Sequence, residues 1–275
     1  MAADEGRGVW LYAVADRIAA PGVGLIPQVF RGLAGVGGEP VRGVEAAGLT
    51  AVVGGVDLAE FGEAALRRNL EDPAWLEETA RAHHRVIDAA AALGSLLPAR
   101  LATVYSSEAS MAAALARRRE DFRAALERVR ARREWGVKAY VALPAEPGPA
   151  GASGPAGASG PAGAARSGAA YLRRRRDQLS ARRELRHGAI ASAQAVHSRL
   201  SRYAVETRLH PPQSAQLTGK RAQMLLNAAY LLDGSREGDF ASTVATLATE
   251  HPGIRLELTG PWPPYSFAAA EAEGQ

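Results

Sequence analysis

The stretch IRLELTGPWPPYSFA, residues 254–268, decides how the C-terminal half of this sequence is interpreted. Its first part places an apolar residue at every second position from Ile254 to Leu258, which is typical of a half-buried β-strand. The prolines that begin at Pro261 then fix the backbone and remove amide donors. We therefore expect the strand to end at Gly260 and a stiff, extended segment to follow it.

This stiff segment presents three aromatic side chains in set directions, namely Trp262, Tyr265 and Phe267. Two interpretations are open for them. The aromatic tail can fold back over the core of its own domain, or it can form a docking surface for a partner chain. Neither interpretation predicts catalytic chemistry in this part of the sequence.

The composition is that of an ordinary soluble globular protein, with 47% hydrophobic and 23% charged residues. A chain of 275 residues can hold one large domain or two small ones with adequate cores. The formal charge is +4, and all basic residues except Lys138 and Lys220 are arginines. Because such arginine usage is also typical of a GC-rich genome, the basic balance is weak evidence for a nucleic-acid partner.

Several function classes are excluded or disfavoured by what the sequence lacks. It has no cysteine, which excludes disulfides, thiolate catalysis and Cys-ligated zinc. The six histidines are scattered, and neither HExxH nor G-x-S-x-G occurs, so we predict no catalytic, cofactor-binding or metal-binding residues. The first residues lack a basic region that leads into an apolar core, and no stretch approaches 18 apolar residues. We expect a cytoplasmic protein that does not enter the membrane.

The N-terminal part predicts a mixed α/β unit. A buried strand at residues 9–14 is followed by a hairpin that pairs residues 41–46 with 49–56 and turns at Ala47-Gly48. Asp57 can cap a short helix, and Pro73 suits the first turn of a longer one that continues to residue 93. His83 lies on the apolar stripe of that helix, so we predict a hydrogen-bonded core histidine.

The middle of the sequence predicts strand, long helix and strand. The first strand covers residues 96–105 and contains Arg100, which we expect to pair with a carboxylate because an unpaired buried charge is costly. Ser107 can cap a single helix whose buried face runs from Met111 through Phe122 to Val129. The alternating strand at residues 134–141 follows.

Residues 148–165 repeat as GPAGASGPAGASGPAGAA, and we predict a flexible insertion over residues 144–166. A long helix then runs from about residue 169 to 207. Its second half has core spacing and should lie on the sheet, whereas its first half is rich in arginine and should project from the domain or pair with another helix. Four consecutive arginines in that half can form a solvated charged face or a partner-binding arm: Arg173, Arg174, Arg175 and Arg176.

Four stretches, in order, resemble the gas vesicle accessory proteins of the GvpF/GvpL family. Residues 96–105 are similar to the family's strand "LPLRFGT", with Arg100 and Thr103 in place but Leu101 and Ala102 where Phe and Gly are usual. The Glu-Trp-Gly-Val-Lys strand around Trp135 and the apolar strand at 224–232, which contains Tyr230, have counterparts in the family. The ending LTGPWPPYSF is the fourth match.

This resemblance implies an α+β fold of two domains. The N-terminal α/β unit would cover residues 1–133, and a modified ferredoxin-like domain with a long helix would cover residues 134–275. It also implies a non-catalytic, chaperone-like accessory protein that assists gas vesicle assembly and nucleation. Its partners would be the hydrophobic shell protein and other accessory proteins at the gas vesicle. The contact residues we predict are the three aromatic residues of the tail and, as a second patch, residues 173–176.

The alternative function is a nucleic-acid-binding α+β protein that uses its arginine-rich helix. Base stacking on a ferredoxin-like sheet needs exposed aromatic residues among basic ones on the central strands. Tyr230 lies in a strand that is too apolar for this role, and no RNP-like motif occurs. The sequence therefore disfavours nucleic acid as the partner.

Overall fold

The computed structural model describes residues 6–16, 28–143, 161–212 and 222–268, with side chains for all of these except Gln28 and residues 161–169. The chain divides into two compact units. The first comprises residues 1–135, 231–235 and 260–275, and the second comprises 136–230 and 236–259. The domain boundary expected after residue 133 stays a prediction. No helix within the described ranges is both long enough and apolar enough to cross a membrane.

The first unit is built on an antiparallel sheet of five strands. They are β1 (Arg7–Asp16), β2 (Val41–Ala46), β3 (Leu49–Asp57), β4 (Leu96–Pro98) and β5 (Val104–Tyr105). The order is β2-β3-β1-β4, and β5 also pairs with β1. Strand β1 is central and buried along its length, as its continuous apolar sequence predicts.

Among the described residues of this unit there are five α-helices, and several of their ends follow local sequence signals. They are α1 (Leu58–Phe61), α2 (Glu63–Asn69), α3 (Pro73–Ala91), α4 (Glu108–Arg117) and α5 (Arg119–Val129). Asp57 accepts a hydrogen bond from the Ala59 amide, and Ser107 caps α4 as predicted. The prediction of a single helix after Ser107 is wrong. The backbone of Arg118 is not helical, and this residue separates α4 from α5.

The core of the first unit centres on Trp10, Tyr12 and His83, which are all buried. Trp10 Nε1–H donates to His83 Nδ1 at 2.9 Å, and His83 Nε2 lies 3.2 Å from the Ala99 carbonyl oxygen. Since a carbonyl only accepts, His83 carries its proton on Nε2. The prediction of a hydrogen-bonded core histidine is confirmed.

The second unit follows a β-α-β-β-α-β element order. Its strands are β6 (Arg132–Val141), β7 (Glu206–Leu209), β8 (Gln223–Asp233) and β9 (Arg255–Trp262), and its helices are α6 (Pro161–Leu200) and α7 (Glu237–Glu250). The strand ends at residues 132–135, 231–233 and 260–262 are grouped with the first unit. The sheet order is β7-β8-β6-β9, which puts the most apolar strand, β8, beside β6 in the middle. The predicted α+β fold with two sheets and a long helix is confirmed.

Three predicted boundaries in this part of the chain are wrong. Helix α6 ends at Leu200 and not near residue 207, and strand β7 occupies residues 206–209. Helix α6 already begins at Pro161, so residues 161–166 of the predicted insertion are helical, while residues 144–160 lie outside the described residues. Proline suits a first helical turn because the missing amide has no acceptor there. Strand β9 continues through Gly260 and Pro261 to Trp262. It is an edge strand, where proline is tolerated.

The strand predicted over residues 96–105 is interrupted by a turn, so Arg100 is not on a buried strand. It is exposed, and within the described residues no salt bridge joins it to a carboxylate. Thr103 closes the turn, because its Oγ1 donates to the Arg100 carbonyl oxygen at 2.7 Å. Ala102 has φ = 64°, a left-handed conformation that a glycine would adopt without steric cost.

Replacing Ala47 with asparagine should stabilise the protein. Ala47 (φ 54°) and Gly48 (φ 76°) form the two-residue turn between β2 and β3. Both angles are positive, as in a type I′ turn, where asparagine is favoured over alanine. We expect Ala47→Asn to raise the free energy of unfolding by about 0.5–1 kcal/mol in urea titrations. As a control, Ala181→Asn in α6 should lower it, because asparagine is a poorer helix former.

The pH dependence of stability should contain a component from His83. Burial lowers the pKa of His83 from 6.5 to about 4. The unfolded chain therefore binds more protons than the folded one between these pH values. This component is fully present above pH 6.5, and its loss on acidification to about pH 4 should reach about 3 kcal/mol.

Urea unfolding of the wild type and His83→Gln at a series of pH values measures this component. Glutamine cannot titrate, so the variant should lose less stability than the wild type on acidification, even though it starts from a lower value. Parallel pH profiles for the two proteins would contradict the assignment of His83 as a neutral core residue.

Candidate functional site

The C-terminal segment of the first unit brings two of the three predicted aromatic residues to the surface. Trp262 is 41% exposed and Tyr265 is 37% exposed. Phe267 is 0% exposed and belongs to the core. The segment therefore combines both interpretations given by the sequence, because one ring packs inside its own unit while two remain available outside.

Polar contacts on both sides of Phe267 fix the course of the segment. The Glu134 carboxylate, itself buried, accepts from the Ser266 amide and from the Ser266 hydroxyl, each at 2.7 Å. Arg128 Nη2 donates to the Phe267 carbonyl oxygen at 2.9 Å. Hydrogen bonds to charged groups are among the stronger ones in proteins. We call the Glu134–Ser266 contact the carboxylate clamp.

His84 on α3 connects the segment to the helix beneath it. Its Nε2 lies 3.2 Å from an Asp88 carboxylate oxygen, and its Nδ1 lies 2.8 Å from the Tyr265 hydroxyl oxygen. The Tyr265 hydroxyl can donate a hydrogen bond to Nδ1 of the His84 ring, while Nε2 of the same ring faces the Asp88 carboxylate. Burial raises the pKa of Tyr265, and the negative charges of Asp88 and Glu134 raise it further. The phenol thus stays protonated and able to donate.

The three rings form one group on the surface, which we call the aromatic surface: Trp262, Tyr265 and His84. The His84 ring centre lies 5.6 Å from that of Trp262 and 5.9 Å from that of Tyr265. These distances are within the range of favourable ring contacts. The exposed rings are therefore held in a defined arrangement instead of extending singly into solvent.

Gly260 is required where β9 approaches β6. Its φ is +114°, which other residues rarely adopt, and a Cβ atom there would lie 2.9 Å from the Glu134 carbonyl oxygen. The next peptide bond, Gly260–Pro261, is cis. Glycine at position 260 therefore lets β9 pass close to β6 immediately before Trp262 of the aromatic surface.

The four arginines of the second predicted patch are spread around helix α6, and their role in partner binding stays a prediction. Successive residues of an α-helix are rotated by about 100°, so Arg173 to Arg176 point to different sides of α6. Arg175 is half-buried, and the other three are exposed. Of the four, Arg175 and Arg176 lie on the side of α6 that carries Leu172 and Leu179.

The residues expected as structural motifs occupy turn and core positions. Arg100 and Thr103 form the turn between β4 and β5, and Trp135 is half-buried in β6. Tyr230 is fully buried in β8, where its hydroxyl lies 2.9 Å from His197 Nδ1 and its ring packs on Phe240 at 5.2 Å. Tyr230 therefore stabilises the core of the second unit.

A cleft of about 290 Å³ lies elsewhere on the first unit, beside the first turn of α4. Arg7 and Arg42 line it, together with Glu39 and Glu108. Arg7 lies 2.8 Å from Glu39, and Arg42 contacts Glu108. Both guanidinium groups already pair with carboxylates. The cleft therefore has less uncompensated positive charge with which to bind an anion than two unpaired arginines would give it.

Sequence reasoning identified the exposed aromatic residues but missed what holds them. Glu134 belongs to the Glu-Trp-Gly-Val-Lys motif quoted above, and His84 and Asp88 stand four residues apart, yet nothing local connects any of them to residues 260–268. The contacts span 132 residues from Glu134 to Ser266 and 181 residues from His84 to Tyr265. Only the fold brings these groups together.

Removing the Glu134 carboxylate should release the segment. In Glu134→Ala the Ser266 amide and hydroxyl lose their acceptor, so we expect a loss of about 2 kcal/mol or more in urea unfolding. Hydrogen exchange should also accelerate at Ser266 and its neighbours. Glu127→Ala is the control, because its exposed ion pair with Arg130 should contribute about 0.5 kcal/mol or less. Equal effects of the two substitutions would refute the importance of the clamp.

Comparison with known proteins places this arrangement in a family. The sequence model of the protein family described as gas vesicle synthesis protein GvpL/GvpF matches residues 8–269 of this chain. A gas vesicle protein L from Streptomyces sp. (strain CB03234) is 43% identical over 268 residues, which are 96% of this chain and 94% of that protein. A shorter match of 45 residues, 33% identical, covers 16% of this chain and 21% of gas vesicle protein F1 from Halobacterium salinarum (strain ATCC 700922 / JCM 11081 / NRC-1).

Solved structures share the fold. The crystal structure of the gas vesicle protein GvpF from Anabaena sp. PCC7120 matches with a TM-score of 0.63 at 19% identity, over 96% of this chain and 99% of that one. GvpF from Microcystis aeruginosa matches with a TM-score of 0.60 at 18% identity, over 95% and 99%. The resemblance seen in four sequence motifs thus extends over the whole fold. The chain belongs to the GvpL/GvpF family of gas vesicle synthesis proteins.

Proposed function

We propose that this protein assists gas vesicle assembly and nucleation by binding the hydrophobic shell protein through its aromatic surface. The observation that carries this proposal is the exposure of Trp262 and Tyr265 on a segment that the carboxylate clamp holds in place. Tryptophan and tyrosine are enriched among the residues that dominate binding energy. The protein acts at the gas vesicle, within the cytoplasm, and also contacts other accessory proteins.

Prior ordering of the two rings favours such a role. A flexible side chain loses conformational entropy when a partner fixes it, and this loss lowers the affinity. Here His84 contacts both rings, and Phe267 anchors the segment from inside. An apolar shell subunit that docks on the aromatic surface meets rings that are already positioned. Such binding suits a chaperone-like protein that holds a subunit until the subunit joins the shell.

A binding role without catalysis also agrees with the positions of three side chains whose pKa values are strongly shifted. Tyr12, His83 and Tyr230 have pKa values shifted by burial, and each uses its polar atoms inside a core. The Tyr12 hydroxyl accepts from the Val36 amide at 2.7 Å, and His83 is bonded to Trp10. These shifts therefore have a structural explanation in each case.

The alternative, nucleic-acid binding, receives less support from the sheet of the second unit. Base stacking requires exposed aromatic residues on the central strands. The central strands β6 and β8 bury Tyr140 and Tyr230, which are 3% and 0% exposed. A contact with nucleic acid would therefore rest on arginine side chains, such as those of α6, without base stacking on this sheet.

A co-expression pull-down with the small gas vesicle shell protein tests the proposal. Trp262→Ala removes a contact ring without touching the hydrogen bonds of the clamp, and should weaken retention by about 2 kcal/mol, or roughly 30-fold. Tyr265→Phe keeps the ring but removes the hydroxyl that His84 binds, so it should retain most of the binding. Combining Trp262→Ala with Tyr265→Ala should abolish retention.

The control for this experiment is Leu209→Ala, which alters an apolar side chain that is 65% exposed in β7. It should leave retention unchanged if the aromatic surface is specific. Circular dichroism must show that every variant is folded. Failure of the intact chain to retain the shell protein, or an equal loss in the Leu209 variant, would refute the proposed mechanism.

A further inference from the structure

The N-terminal half of α6 has an exposed face that combines leucine with arginine. Leu172 is 65% exposed and Leu179 is 38% exposed, and the two are one heptad apart on one stripe of the helix. At about 100° per residue, four arginines lie within about 60° of this stripe, on both sides of it. We call this set the leucine–arginine face: Leu172, Arg175, Arg176, Leu179, Arg183 and Arg186.

Acidic residues of this half-helix lie away from that face. Asp177 and Glu184 are also one heptad apart, but they are rotated by about 120–140° from Leu172. Within the described part of the chain, no salt bridge joins the four arginines of the leucine–arginine face to a carboxylate. The positive charge around the leucines is thus not balanced by the helix itself.

The geometry points to an acidic amphipathic helix of another gas vesicle protein as the occupant of the leucine–arginine face. This inference deepens the proposed binding function and rests on it. One leucine per heptad fills one of the two seam positions of a helix pair, and the other position, three or four residues further on, holds Arg175 or Arg176. Charged positions at and beside such a seam select a partner of opposite charge. Flanking arginines select glutamate or aspartate, with which guanidinium groups form bidentate bonds.

Other occupants fit this face less well. A second copy of the chain would bring the same arginines together, and like charges at such positions are unfavourable. A membrane surface needs a broad apolar face, whereas the exposed Leu185 lies about 140° away from Leu172 and adds nothing to this one. A nucleic acid would use the arginines but not the two leucines between them.

A designed peptide can test this chemistry directly. The probe is a labelled helix of about three heptads with leucine along the seam and glutamate at the flanking positions. The control peptide has lysine in place of glutamate. We expect the full-length chain to bind the glutamate peptide in fluorescence anisotropy, with affinity that falls as salt is raised, and to bind the lysine peptide at least about 10-fold more weakly.

Matched charge reversals locate the binding face. Arg176→Glu with Arg183→Glu changes two arginines beside the leucines, whereas Arg173→Glu with Arg174→Glu changes two arginines outside that face. Both pairs alter the net charge equally. We expect the first pair to weaken binding by at least about 10-fold and the second by less than about threefold. Leu172→Gln with Leu179→Gln should also weaken binding, and glutamine preserves helix propensity.

Three outcomes would overturn the inference. They are equal effects of the two charge reversals, no effect of the leucine substitutions, and no binding of the glutamate peptide. Single-stranded DNA and vesicles containing phosphatidylglycerol serve as competing probes, and tighter binding to either, with equal loss in both reversals, would also refute it. The peptide experiment uses neither the shell protein nor Trp262, so its failure is distinguishable from failure of the proposed shell binding.

Discussion

The candidate binding surface depends on one buried carboxylate. Glu134 stands at the start of β6 and accepts two hydrogen bonds from Ser266, a residue 132 positions away in the sequence. This contact fixes the end of a segment whose prolines leave few backbone amides for ordinary sheet pairing. The buried Phe267 ring and the His84–Tyr265 hydrogen bond then determine which aromatic rings face inward and which face solvent.

Membership in the GvpL/GvpF family and the structure contribute different kinds of information. The family connects the chain with gas vesicles, and the shared fold extends to GvpF proteins at 18–19% identity. The structure adds the distribution of exposed and buried groups, on which the proposals about partners rest. An ordered aromatic surface in one unit and a charged half-helix in the other would allow the protein to bind two partners of different chemistry.

Much of the fold could be predicted from the sequence, because local rules govern much of it. The Ala47-Gly48 turn, the Ser107 cap and the apolar β8 strand followed from residues within a few positions of each other. Errors arose where distant pairing decided the outcome. Pro261 continues a strand because β9 lies at a sheet edge, and Phe267 is buried because its segment folds back on its own unit. No local pattern reveals either fact.

The position of Pro261 in the edge strand has a consequence for how another polypeptide can approach this end of the sheet. An edge strand offers unpaired backbone groups on which another chain can add a strand, and this is a common route to aggregation. Proline has no amide hydrogen, so β9 lacks one donor just before Trp262. A second polypeptide that approaches this end of the sheet therefore meets side-chain rings before it meets a complete backbone template. A partner held by side-chain contacts dissociates more readily than a strand that has been added to the sheet.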